Sequence, residues 1–281
     1  MKYAVLGNCQ SGAISAMLDH LLPSWEKVPL IAVHLITKSN DEKMLDAIST
    51  VDVLVHQPIS DSFGFFSIDA LKCRFPHIKF ISFPNIYFSG YFSSLMYLRK
   101  PKGGTLPGVV GDYHDKRVIE GYLKGSSVSE IMNDMKCPLE YSNGLVLRSI
   151  TQLKDRESSL DIKISKYIED NYLKRQLFYS FNHPCNELLE LVAREVCRLI
   201  GEPEIDKSFP REYLANFIFP IDASIKNELI NPQCFYSDYS LVNSLGDKVN
   251  LSMEEFIEQS IELYSNVGDF FEVCNFNKNR N

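Results

Sequence analysis

Several features are scarce in this chain of 281 residues. It has no basic tract: Lys and Arg number 29 against 36 Asp and Glu, a formal charge of −7. Without clustered cations, phosphate neutralisation cannot supply the affinity of a general nucleic-acid binder. Small anionic ligands are not excluded, since they need only a few well-placed donors. Long apolar runs are also missing. The most extended, Val28–Ile36, is broken by His34 and is too short to span a bilayer. The N-terminal run turns polar at Gly7-Asn8, before a signal-peptide apolar region could form. Seven cysteines, at 9, 73, 137, 185, 197, 234 and 274, form no CxxC pair and no zinc-type spacing. A reduced, cytoplasmic protein without a metal site is the expectation. Dinucleotide-binding GxGxxG, Walker A and nucleophile-elbow serine motifs are absent, as are repeats.

What is present alternates strand and helix signals. Short apolar runs at Tyr3–Leu6, Val28–Ile36, Val51–Val55 and Ile78–Phe83 predict strands, with helices over Ser11–Leu22, Asp41–Ile48 and Ile68–Arg74 between them. Such runs imply an α/β fold, a parallel sheet covered on both faces in a three-layer, flavodoxin-like core. Residues 90–175 read as a helical insert or cap, with helices near 113–124, 127–135, 142–156 and 160–173 and a capping box at Ser127/Glu130. Gln176–Phe181 then predicts a further strand, followed by a helix over Asn186–Ile200 with Pro184 in its first turn and Gly201 as its C-cap. The expected organisation is a core over 1–201 that includes the insert. An extension over 202–281 packs on it and ends in an amphipathic helix, Leu251–Tyr264.

Ligands of open parallel sheets bind beyond the carboxyl ends of the strands, which selects Asn8, Cys9, Gln10, Gln57 and Asn85. Cys9 sits where a strand ends and a helix begins, and the positive end of that helix is expected to lower its thiol pKa. Gly7 permits the tight turn, while Asn8 and Gln10 can donate to a developing oxyanion. A structural cysteine in a strand-to-helix turn is the alternative. His183 follows a late strand and precedes a helix, so parallel topology puts it on the same sheet edge as a base for Cys9 or for an acceptor hydroxyl. His114, between Asp112 and Asp115, gains pKa from its neighbours, and either lines the site from the cap or is a surface histidine at a helix start. Arg99, Lys100 and Lys102 beside Gly103-Gly104 offer cations and amides for phosphates, or form a solvated loop. Phe88, Tyr91, Phe92 and Tyr97 line a groove or belong to the core.

Four stretches of this sequence together resemble the WcbI-type polysaccharide biosynthesis enzymes of bacterial capsule and surface-glycan clusters. They are Gly7-Asn8-Cys9-Gln10, His56-Gln57-Pro58-Ile59, Pro84 through Tyr91 with Asn85 and Tyr87, and Phe181 through Asn186. Weaker echoes are Tyr113-His114-Asp115 with Gly121 and Gly125, and Arg156-Glu157 leading to Asp161. The resemblance implies a coenzyme A-binding acetyltransferase acting on a sugar hydroxyl, with kinship to the SGNH hydrolase-like fold. By that analogy Cys9 takes the nucleophile position and His183 the base position. The acid usual three residues before that histidine is Ser180 here, which leaves a third triad member without a charged candidate.

The resulting expectation is an enzyme that moves an acyl group from acetyl-CoA, or another acyl-CoA, to a nucleotide sugar or glycan intermediate. Gly7, Asn8, Gln10, Gln57, Asn85, Tyr87, Arg99, Lys102 and His114 are the residues expected at the cofactor. Two rivals remain open at this stage: an esterase using water as acceptor, and a non-catalytic CoA- or glycan-binding module.

Overall fold

The computed structural model describes residues 1–137 and 142–278, with the side chains of 142 and 143 excepted. Its contacts divide the chain into two compact units. One comprises residues 1–87, 150–170 and 183–214; the other comprises 88–149, 171–182 and 215–281.

The first unit is built on a parallel four-stranded sheet of order β2-β1-β3-β4, with β1 at Lys2–Leu6, β2 at Glu26–Lys27, β3 at Val53–His56 and β4 at Lys79–Ser82. Leu6 of β1 lies opposite His56, which lies opposite Ser82. The strand ends where ligands are expected are therefore in register. Alternation along β1 assigns its two faces. Tyr3 donates through its hydroxyl to the Ser15 carbonyl of helix α1, Cys9–Leu21. Ala4 and Leu6 instead join Leu54 in a core closed by Met44, Leu45 and Ile48 of α2 (Asp41–Ser49) and by Ile68 and Leu71 of α3 (Ile68–Arg74). The helix Asn186–Ile200 packs against α1 and ends at Gly201, whose left-handed φ of 82° suits a residue without Cβ. This is the three-layer α/β arrangement that the apolar runs imply.

Two expected strands differ. Only Glu26–Lys27 pairs with β1, and Val33–Leu35 forms a single 3-10 turn. Pro29 lacks an amide proton, and at the edge of the sheet the ladder stops before it. The late strand shrinks to Phe178–Ser180 and is not a member of the four-stranded sheet; it belongs to the second unit, where the Tyr179 carbonyl accepts from the Phe219 amide. Pro184 lies outside the helix that follows, whose N-cap is Cys185.

The second unit corrects the expected organisation. The segment beyond residue 87 does not form a cap by itself; it folds together with the chain beyond residue 214, while residues 202–214 belong to the first unit. Bonds far apart in sequence make this unit: Asp222 accepts from the amide and hydroxyl of Ser93, and Asn277 accepts from the Arg99 amide and donates to its carbonyl. Phe217–Ile218, Tyr239–Val242 and Lys248–Leu251 form an antiparallel sheet, and Leu95–Tyr97 pairs with Tyr113–Asp115. Helices Lys116–Lys124, Val128–Lys136 and Met253–Ser265 begin at Asp115, Ser127 and Ser252, the last two with full capping boxes. Phe88 and Tyr91 are buried in this unit and are core residues rather than groove residues, while Phe92, also buried, lines a cavity. Among the described residues, no helix is long and apolar enough to cross a membrane.

Candidate functional site

The turn after β1 is held by side-chain amides. Asn8 caps α1, its Oδ1 accepting from the Gln10 amide at 2.9 Å, while its Nδ2 donates to Asn85 Oδ1 at 3.2 Å. Gln57, the first residue after β3, accepts from the Asn8 amide at 2.8 Å and donates to Gln10 Oε1 at 2.9 Å. Gln10 in turn donates to the Ile86 carbonyl at 2.7 Å and accepts from the Ile86 amide at 3.1 Å. Gly7 is required where it stands, because a Cβ there would lie 2.5 Å from Gln57 Oε1. Five of the expected residues, Gly7, Asn8, Gln10, Gln57 and Asn85, thus form one network around Cys9.

Their roles divide. Gln10 and Gln57 are 1% and 2% exposed and spend their polar atoms on each other and on backbone, so they hold the turn and are not oxyanion donors. Asn8 and Asn85 are only half-buried. Because Asn85 accepts through Oδ1, its Nδ2 protons are the donors left for a ligand beside Cys9.

Cys9 is exposed to solvent, yet the atoms packed around it raise its thiol above the ordinary value. Desolvation is the larger effect, and the amides of Cys9 and Gln10 offset only part of it. The expected depression by the helix terminus is therefore overturned. His183 is half-buried in the same unit, and burial brings its pKa down to about 4, so its imidazole is neutral at pH 7. The strand before it is not a member of the four-stranded sheet, so no shared sheet edge sets its place. Leu21, at the C-terminal end of α1, lines a 390 Å³ cleft with Leu191, Cys197 and Arg198 of the helix Asn186–Ile200, which packs against α1. Cys9 opens the first of these helices, and His183 lies three residues before the second.

Tyr87 is paired with a cation. The Arg156 guanidinium stands 6.0 Å over its ring and donates to its carbonyl at 3.4 Å, within the first unit. The adjacent Glu157 is buried and caps the following helix through the amides of Ile164 and Ser165. His56 donates from Nδ1 to the Gln57 carbonyl, while Nε2 has no hydrogen-bond partner among the described residues. Desolvation keeps this histidine neutral as well.

The remaining expected residues belong to the second unit. Arg99 stacks on Tyr97 at 4.9 Å and donates to Thr105 Oγ1, and Lys102 is exposed. His114 does not line a site: it is 1% exposed, and its ring nitrogens contact the Tyr264 hydroxyl and the Leu106 carbonyl. Burial lowers its pKa, outweighing Asp112, because Asp115 is turned to Arg117. Ser180 is buried against the Tyr113 hydroxyl.

A solved structure described as WcbI, a novel polysaccharide biosynthesis enzyme, in its native form without a disulfide bond between CoA and a cysteine, is similar to this chain. The TM-score is 0.75 over 98% of both chains at 17% identity, which establishes the shared fold. No curated protein matches. The family model described as polysaccharide biosynthesis enzyme WcbI matches residues 2–204, the span that carries β1, the Cys9 turn, Asn85 and His183. The chain belongs to the WcbI family of polysaccharide biosynthesis enzymes.

Proposed function

We propose that this protein is a CoA-dependent O-acyltransferase that acylates a sugar intermediate in surface-polysaccharide assembly. The observation that carries the reading is the solvent-exposed Cys9 at the start of α1, held on a satisfied amide network in the same unit as a neutral histidine. That CoA is named together with a cysteine for the similar WcbI structure supports CoA as the ligand here. Acetyl-CoA, when bound, supplies the acyl group as a thioester. His183 accepts the proton of the attacking group, the sugar hydroxyl or the Cys9 thiol, and returns it to the departing thiolate. Asn85 Nδ2 holds the carbonyl oxygen as negative charge develops. Arg156, which stands over Tyr87 in the unit of Cys9, is the cation for the CoA phosphates in this reading. All the cysteines are free, which suits the cytoplasm, where acyl-CoA is made.

The exposure of Cys9 also admits water, which favours an esterase as the second reading. One assay separates them: CoA release from acetyl-CoA is followed with and without a sugar acceptor. A transferase requires the acceptor, whereas an esterase does not. Asn85→Ala is expected to slow turnover by about 10²–10³-fold with little change in KM. An unchanged kcat would remove Asn85 from the mechanism, and failure of CoA to bind at millimolar concentration would remove the acyltransferase.

A further inference from the structure

The second unit contains a cavity of 190 Å³ with a charged floor. Arg117 there bridges Asp115 at 2.8 Å and Asp222 at 2.9 Å, and all three side chains are almost entirely buried. Asp115 is saturated: Oδ1 accepts from the Arg117 amide and Nε, and Oδ2 accepts from Ser94 and Arg117 Nη2. Asp222 is not. Its Oδ2 takes the amide and hydroxyl of Ser93, but its Oδ1 takes only Arg117, leaving one acceptor site.

Tyr239 forms part of the same wall at 4% exposure. Its ring is clamped face to face on Phe256 at 4.1 Å, so it cannot swing out to water. Its hydroxyl makes no hydrogen bond to any described residue, although other buried phenols here do, Tyr91 to two carbonyls and Tyr264 to His114. Burial together with Asp115 and Asp222 keeps the phenol protonated, so it is a donor. A fixed donor beside a spare carboxylate acceptor suits a ligand rich in hydroxyls. Phe92 and Phe219 supply apolar wall, and the exposed Lys136 and Lys226 line the same cavity. Its volume is that of about six waters at ~30 Å³ each, which is the scale of one pyranose ring.

We propose that this cavity binds the ring of a phosphorylated sugar, with ring hydroxyls on Tyr239 and Asp222 and phosphate at Lys136 and Lys226. That this sugar is the acyl acceptor rests on the acyltransferase reading; the binding site does not. The test is calorimetry of the full chain with a panel of hexose 1-phosphates and the free hexoses, on the parent protein and Tyr239→Phe. The substitution removes only the hydroxyl and retains the ring packing. It is expected to weaken binding by about tenfold, one hydrogen bond, with an unchanged or higher melting temperature. Lys136→Ala with Lys226→Ala is expected to weaken the phosphates while leaving the free hexoses unaffected. Absence of binding across the panel at millimolar concentration, or equal affinity in Tyr239→Phe, overturns the site. CoA titrated in parallel keeps the questions apart: CoA binding without sugar binding defeats only the cavity, and sugar binding without CoA defeats only the acyltransferase.

Discussion

The first unit buries its polar side chains around Cys9 as neutral amides, Asn8, Gln10, Gln57 and Asn85, each matched to another amide or to backbone. The second unit buries charges instead, Arg117 between Asp115 and Asp222. The two networks fail differently. An amide that loses its partner leaves one or two hydrogen bonds unmet, about 1–3 kcal/mol. An ion that loses its partner leaves an uncompensated buried charge. The comparison also explains the thiol: no cation stands in the amide network to stabilise a thiolate, so desolvation decides the direction of its shift.

The largest effect is expected from Arg117→Met. Burial works against the guanidinium, but Asp115 and Asp222 outweigh it and hold it protonated. Removing it strands two carboxylates that are 7% and 6% exposed. The loss should be about 3–5 kcal/mol, read from the urea midpoint at pH 7. Lowering the pH should recover part of it, because protonation relieves the stranded carboxylates. A loss under 1 kcal/mol would mean that the triad is no stronger than a surface pair.

Gly7→Ala tests the amide network and should cost less. The added Cβ falls 2.5 Å from Gln57 Oε1 and 2.9 Å from its Cδ, so the side chain must leave, and its bonds to the Asn8 amide and Gln10 go with it. About 1–3 kcal/mol is expected, together with a fall in CoA-dependent activity larger than the stability loss explains. Stability lost without activity would make the network a fold device only.

These residues mark what the sequence could disclose. The Cys9 turn was legible because its parts are local, a strand run, Gly7, a capping Asn8 and a helix, and because Gln57 and Asn85 follow strands in one parallel sheet. The capping boxes at Ser127 and Ser252 are equally local. The second unit was not legible. Ser93 finds Asp222, and His114 finds Tyr264, across more than a hundred residues, and no periodicity encodes such pairings. His114 misled because its carboxylate neighbours in sequence are not the groups its ring meets in the fold. Val28–Ile36 is apolar enough for a strand, but Pro29 ends the ladder after Glu26–Lys27.

The smallest effect on stability is expected at Cys9 itself, where the comparison is sharpened by reactivity. The thiol is exposed to reagent, yet its pKa is raised, burial outweighing the amides of Cys9 and Gln10. The alkylation rate should therefore climb with pH to an inflection above that of a free cysteine. At pH 7 it should fall below the free-thiol rate, since only thiolate reacts. His183 is neutral at that pH, its pKa having fallen to about 4, so it supplies no charge to pair with a thiolate. His183→Ala should then leave the alkylation inflection in place while lowering turnover by about 10²–10⁴-fold, the range of a lost general base. An inflection below that of free cysteine that rises in His183→Ala would reveal an ion pair at rest. The activated form would then be a thiolate–imidazolium pair, and the neutral character assigned to the first unit's site would be wrong. With the inflection high and unmoved, the proton leaves only during reaction, and desolvation keeps the resting thiol uncharged.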